Sequence, residues 1–275
     1  MPKVLIVGAS RGLGLALAKE LQTRTSTTVV ATVRSTTPLE SIDTLTDVDI
    51  TSDTSITKAA QHPLVQRLDI IIINAAIGGL DALLASSPSV LESYLATNVI
   101  GPHRIVSAFL PALRRGRDKK IIFISSSAGS FKIAGSPTRM VRSGVYSVSK
   151  AAVQYADELK EEGFVVVPMH PGWVATDMGS LAGEGGMQPS VSAKSIVDVV
   201  EGLKKDDNAK FFRFDGTLMP WQSLASRELG LAIVDPPSTT GIATAYDSIP
   251  LEGIDTLADI DVSSNDWIAM AAQHP

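Results

Sequence analysis

Val4-Leu5-Ile6-Val7-Gly8-Ala9-Ser10-Arg11-Gly12-Leu13-Gly14-Leu15-Ala16-Leu17 opens the chain and decides its fold. Val4–Val7 is a continuous apolar run, which suits a strand covered on both faces rather than one with a wet side. A turn with three glycines follows at once, and Leu13–Thr23 then reads as an amphipathic helix. In such a unit Gly8 permits the sharp turn and Gly12 lets backbone approach a pyrophosphate. Gly14 lets the helix pack closely, with its amino end facing the phosphates. Three glycines alone say little; between a strand and a helix they predict a bound dinucleotide.

The same rhythm continues outward. Val29–Val33, Ile70–Ile73, Ile121–Ile124 and Val165–Met169 are further strand-length apolar runs. Ile56–Gln61, Val90–Leu113 and Tyr146–Glu162 have helical patterns between them. Repeated strand–helix units imply right-handed crossovers and an α/β fold of the Rossmann type, a doubly wound parallel sheet in a single domain. Ligand then belongs at the carboxyl ends of the strands.

Tyr146 and Lys150 stand four residues apart, one turn of a helix, and so share a face. An ammonium beside a phenol favours the phenolate, which predicts a tyrosine able to exchange protons well below its ordinary pKa of about 10. With a dinucleotide, that pair points to a hydride and a proton moving onto a carbonyl or off an alcohol. Cofactor choice is legible after the second strand. An acidic residue there would hold a ribose 2′-hydroxyl and repel a 2′-phosphate. The chain has Arg34, with Ser35 beside it, and Arg11 in the glycine turn. Two guanidinium groups favour a phosphate dianion, so NADPH is expected over NADH.

Composition bounds the alternatives. The 275 residues are 44% hydrophobic and 19% charged, ample for a packed core, and the net charge of -5 gives no electrostatic case for nucleic acid. The one basic cluster, Arg114 to Lys120, suits the end of a helix. No cysteine is present, which excludes disulfides, thiolate metal sites and cysteine nucleophiles. His62, His103, His170 and His274 have no metal-ligand spacing and read as structural; no metal is expected. No stretch has the length of a membrane span or the form of a signal peptide, so a cytoplasmic protein acting on a small molecule is the expectation.

The end of the chain breaks the pattern. Pro38–Pro63 returns as Pro250–Pro275 at a constant offset of 212, with 16 of 26 positions identical. Gly230 and Gly241 lack the spacing of the first glycine turn, and no second tyrosine–lysine pair follows. The expected organisation is a catalytic domain at residues 1–221 and a partial duplication of the amino-terminal region at 222–275, a weakly ordered tail.

Over residues 1–221 the chain resembles the short-chain dehydrogenase/reductases. The resemblance is carried by Gly8/Gly12/Gly14, Asp49, Asn74-Ala75-Ala76, Asn98, Ser126, Tyr146-Ser147-Val148-Ser149-Lys150 and Pro171-Gly172. His170 through Gly179, and Asp215-Gly216-Thr217 through Trp221, look like a subgroup with fungal ketoreductases of the norsolorinic-acid type and C-factor and sniffer-like members. The resemblance implies that Tyr146 is the general acid in reduction and that Lys150 lowers its pKa and holds the nicotinamide ribose. It implies that Ser126 polarises the carbonyl and that Asn98 anchors a water joining Lys150 to solvent. Gly8, Ser10, Arg11, Gly12, Leu13, Gly14, Arg34, Asp49, Asn74, Val174 and Thr176 would contact the cofactor. Asp49 would meet the adenine, while Thr176 and the backbone near Val174 would hold the carboxamide.

Three departures matter. Val7 and Ala76 replace the family's usual threonine and glycine. Ser126 and Tyr146 are farther apart than is common, and the intervening loop with Phe131, Lys132, Arg139, Met140 and Arg142 is the expected substrate selector. The helix from Tyr146 is about one turn short before Gly163 (a helix turn being about 3.6 residues). In many relatives that helix forms a dimer contact, so a homo-oligomer is an expected partner state. An alternative expectation is a sensor that binds cofactor in the same fold without turnover.

Overall fold

A computed structural model of the chain describes residues 1–134, 144–151 and 155–221, all within the unit Met1–Ala225. In chain order the elements begin with β1 (Lys3–Val7), α1 (Gly12–Gln22), β2 (Thr28–Thr32), β3 (Asp43–Leu45) and α2 (Asp53–Ala60). Then come β4 (Ile70–Ile73), α3 (Pro88–Leu95), α4 (Gly101–Arg114), β5 (Lys120–Ile124) and the single-turn α5 (Phe131–Ala134). The remainder is α6 (Gly144–Ala151), α7 (Ala156–Leu159), β6 (Val165–His170), α8 (Pro189–Gly202) and β7 (Phe212–Arg213).

The strands form one parallel sheet in the order β3-β2-β1-β4-β5-β6-β7. Alternate side chains of each strand face opposite layers. Val4, Ile6, Ile70, Ile72 and Val167 pack with Leu17 and Leu21 of α1 and Ile196 and Val200 of α8. Leu5, Val7, Ile71, Ile73 and Val166 pack with Ile56 of α2 and Ile105, Phe109 and Leu113 of α4. Two covered faces are why these strands read as unbroken apolar runs. The chain leaves β1 for β2 on one side and returns to β4 on the other, so a crevice opens at the carboxyl ends of β1 and β4.

Three further elements join the expected ones, and the two strands among them carry too little local signal to be read beforehand. β3 has three residues and takes its register from β2, with Thr32 beside Leu45. β7 has two residues and is held by β6. α8 begins at Pro189 and buries Ile196, Val197 and Val200. The expected helix Val90–Leu113 instead contains a π-helical turn at Ala96–Ile100 between α3 and α4. The expected Tyr146–Glu162 is described as α6, α7 and a 3₁₀ turn at Lys160–Glu162, ended by Gly163 at φ 78°. Arg139, Met140 and Arg142 of the expected substrate loop, and the expected tail from residue 222, lie outside the described residues.

Candidate active site

The glycine turn is built around forbidden space. Gly8 has φ +86°, and a Cβ there would lie 2.7 Å from the Ala75 Cβ. Gly14 is tighter: its Cβ would lie 2.0 Å from the Gly8 carbonyl oxygen. Gly12, at φ +56°, starts α1 and faces Thr176 across the crevice. Asn74 fixes the turn by donating from Nδ2 to the Gly8 carbonyl at 2.8 Å, and Gly8 N–H donates to Thr32 Oγ1 at 3.0 Å. The amino end of α1 has no side-chain cap. Its first N–H groups can therefore serve an anion in the crevice, which fits a pyrophosphate. Leu13 is buried in the core, so only its backbone can face that anion, whereas Ser10 is exposed.

The two expected phosphate-binding arginines are differently engaged. Arg34 is exposed at the end of β2, and its charge helps hold the Asp49 carboxyl below the usual range. The larger cause of that shift is the pair of hydrogen bonds that Asp49 Oδ1 accepts from Thr51 N–H at 2.8 Å and Thr51 Oγ1 at 2.7 Å. Arg11 reaches across to Asp177, 2.7 Å away and exposed on both sides. Asp177 was not singled out in the sequence, because its partner is 166 residues away. Beside it, Thr176 Oγ1 accepts from Gly179 N–H at 3.1 Å, and Val174 is buried with its carbonyl bonded to Thr176 N–H.

Ser126, Tyr146 and Lys150 come together at the ends of β5 and α6. The Ser126 hydroxyl accepts from Ala128 N–H at 3.1 Å, capping a 3₁₀ turn at Ser127–Gly129, and hydrogen-bonds Tyr146. Ser127 N–H turns away to His170 Nδ1 at 3.4 Å; burial drives that imidazole down to about 4, so it is neutral. Lys150 is buried and donates from Nζ to the Ile124 carbonyl at 3.0 Å, with Nζ 5.6 Å from the Tyr146 ring centre.

The electrostatics correct the expected proton-ready phenol. Burial pushes Tyr146 up to about 12, opposed only by the Ser126 hydrogen bond, and pushes Lys150 down to about 8. Desolvation disfavours the charged form of both groups. At neutral pH the phenol holds its proton.

Asn98 is buried in the π turn, and its amide is fully occupied. Oδ1 accepts from Ile77 N–H, while Nδ2 donates to the Ile77 carbonyl and to Ser149 Oγ, each at 2.9 Å. Both amide protons are thus spent on protein. Close by, Asn98, Ser125, Lys150 and Ile124 border a cavity of about 10 Å³, around the least volume that admits one water.

A doubly wound sheet with a glycine turn at its switch point, and a half-buried serine and tyrosine beside a buried lysine at the end of β5, defines a dinucleotide-binding α/β protein. The family is shown by comparison: the family model described as short chain dehydrogenase matches residues 2–185. The chain belongs to that family. An uncharacterized oxidoreductase of Schizosaccharomyces pombe is 33% identical over 248 residues, covering 78% of this chain and 96% of its own length. The C-signal protein of Myxococcus xanthus is 34% identical over 163 residues, covering 56% and 93%. The NADPH-bound carbonyl reductase from chicken fatty liver superposes with a TM-score of 0.73 at 26% identity, covering 80% and 94%.

Proposed function

We propose that the protein is an NADPH-dependent reductase of ketones or aldehydes. The observation that carries this reading is the hydrogen-bonded Ser126–Tyr146 pair at the carboxyl end of β5, with Lys150 Nζ 5.6 Å from the Tyr146 ring centre. When bound, the dinucleotide supplies hydride to the carbonyl carbon. The Tyr146 phenol gives its proton to the carbonyl oxygen as that oxygen gains charge, and the Ser126 hydroxyl donates a hydrogen bond to the same oxygen. A phenol protonated through the neutral range is stocked for this direction. Lys150 has three donors, one of them spent on Ile124; the others serve a ribose and the small cavity at Asn98 and Ser125, through which Tyr146 recovers a proton. Turnover of NADPH with a panel of carbonyls tests the reading. Tight NADPH binding without turnover would favour a sensor instead.

The turn N–H groups at Gly12, Leu13 and Gly14 would hold the pyrophosphate, and Ser10, Arg11 and Arg34 would receive the 2′-phosphate. Asp49 would meet the adenine through Oδ2, Val174 and Thr176 would hold the carboxamide, and Asn74 and Gly8 keep the turn in shape. Exchanging Arg34 for aspartate is expected to cut NADPH affinity by roughly tenfold or more, as one charge-assisted hydrogen bond of about 1.5–3 kcal/mol is lost and replaced by repulsion. NADH use should rise; an unchanged NADPH/NADH ratio of kcat/KM would remove Arg34 from the phosphate site.

Bulky apolar carbonyls suit the rim. Leu80, Leu83 and Leu84 on the loop after β4, and Met178 and Leu181 on the loop after β6, are exposed large hydrophobics. The two loops approach closely, since a Cβ on Gly78 would lie 2.8 Å from Met178 Sδ. A hydrophobic or aromatic carbonyl is the class such a rim would take.

Catalysis is assigned to residues 1–221 alone. The duplication reaches further back than Pro250: Ala225–Ile233 matches Ala9–Leu17 at seven of nine positions. A counterpart of the glycine turn is therefore present after all, but Leu224 and Glu228 stand where Gly8 and Gly12 have positive φ. The copy therefore lacks the two glycines that the turn at Gly8 and Gly12 needs, and a carboxylate would repel pyrophosphate. A chain ending at Trp221 should keep its kcat within about twofold, below the ~1.4 kcal/mol that marks a tenfold change. Loss of turnover on truncation would give the tail a catalytic part.

A further inference from the structure

We infer that Ser149 is a positioning residue, which sets the place of the Tyr146 phenol by tying its helical turn to Asn98. This rests on the reductase reading above and deepens it. Ser149 is fully buried. Its hydroxyl accepts from Asn98 Nδ2 at 2.9 Å and donates to the Tyr146 carbonyl at 2.8 Å. A serine that only bonds back to the carbonyl three residues earlier is ordinary in a helix. Here the second bond, to a residue 51 positions away, makes the hydroxyl a bridge between two elements.

The bridge is anchored at both ends. Asn98 is clamped to both backbone groups of Ile77, just beyond β4, so it cannot swing toward another partner. The π turn Ala96–Ile100 carries Asn98, and such turns aim one side chain off the regular helical register. At the other end, α6 spans only Gly144–Ala151, two turns. So short a helix has little side-chain surface with which to fix itself. Its other restraints include buried Val145, the side-chain bond of Tyr146 with Ser126, the Lys150 bond to Ile124, a long 3.4 Å bond from Ser125 Oγ to the Lys150 carbonyl, and the close approach of Gly144 to Leu83 backbone. Lys150 restrains the far end of the helix. Ser126 bonds the Tyr146 phenol, whereas the Ser149 side chain bonds the Tyr146 backbone and ties it to Asn98.

The consequence is specific. Removing the hydroxyl leaves every group that touches substrate in the chain, but frees the Tyr146 turn to drift from Ser126. A displacement of about 1 Å at a reacting group lowers the rate by roughly 10²-fold, while binding of cofactor at the glycine turn is untouched. Asn98 and Ser149 act as one device, so their losses do not multiply.

The experiment compares wild type, Ser149→Ala, Ser149→Thr, Asn98→Ala and the double variant Asn98→Ala/Ser149→Ala. It reads kcat and KM for one carbonyl substrate, NADPH dissociation by fluorescence, and thermal melting. Ser149→Ala should lose roughly 10–100-fold in kcat with NADPH affinity within threefold, and Ser149→Thr, which keeps the hydroxyl, should recover most of it. The double variant should be no slower than Asn98→Ala. Ser149→Ala with kcat within twofold of wild type, or losses that multiply in the double variant, overturns the inference. If wild type binds NADPH but turns over no carbonyl, the reductase reading has failed, and Ser149 is then judged by the ultraviolet titration of Tyr146, assigned by subtracting Tyr146→Phe. A titration midpoint that moves in Ser149→Ala and returns in Ser149→Thr upholds the tether; one that stays fixed ends it.

Discussion

Tyr146→Phe is expected to lower kcat for carbonyl reduction by a factor on the order of 10²–10⁴, with NADPH affinity little changed. The ring stays, so the packing of α6 and the backbone bonded to Ser149 stay with it. What disappears is the only proton that the described site holds beside Ser126 for a substrate oxygen. Lys150 cannot replace it, because its Nζ is drawn to the Ile124 carbonyl and lies 5.6 Å from the ring centre. Ser126 can still polarise a carbonyl, which leaves slow residual turnover. Steady-state kinetics together with NADPH binding check this. A variant that reduces carbonyls at the wild-type rate would take the phenol out of the mechanism and leave the proposed chemistry without an acid.

Gly14→Ala is the second large effect, and it is structural before it is functional. One added methyl would sit 2.0 Å from the Gly8 carbonyl oxygen and 2.6 Å from Asn74 Nδ2, so α1 must shift or the Asn74–Gly8 bond must break. Overpacking of this kind costs about 1–3 kcal/mol, and the lost hydrogen bond adds about 1 kcal/mol. At about 2–4 °C per kcal/mol for a domain of this size, melting should fall by roughly 5–15 °C. NADPH should no longer raise it, since the N–H groups at the start of α1 are displaced with the helix. Gly202→Ala, with nothing within 4 Å of its Cβ, is the matched control and should leave melting nearly unchanged. Equal melting for both variants would mean that the turn tolerates a side chain.

Much of this architecture was legible because its signals are local. Ile70–Ile73 reads as a doubly covered strand and is one, with all four residues buried. Leu13–Thr23 reads as the first helix and occurs as Gly12–Gln22. Tyr146 and Lys150 share a helix because a spacing of four is a property of helices anywhere. β3 and β7 were not legible, since two or three residues form a strand only when a neighbour supplies the register. Nor was the π turn at Ala96–Ile100, which follows from Asn98 being pulled onto Ile77.

The site divides along the same line. Spacing named the tyrosine, the lysine and the glycine turn, and the family resemblance added Ser126 and Asn98. They could not say that Arg11 is paired with Asp177, that both amide protons of Asn98 are committed, or that Ser149 bridges two helices. They also misjudged the phenol. A sequence shows that an amine and a phenol are neighbours, but desolvation is a property of everything packed around them. In this protein desolvation raises Tyr146 to about 12. The chain's order of residues determined which groups could react; tertiary packing decided their charge and their partners, because both depend on how much water is left and on contacts from distant parts of the chain.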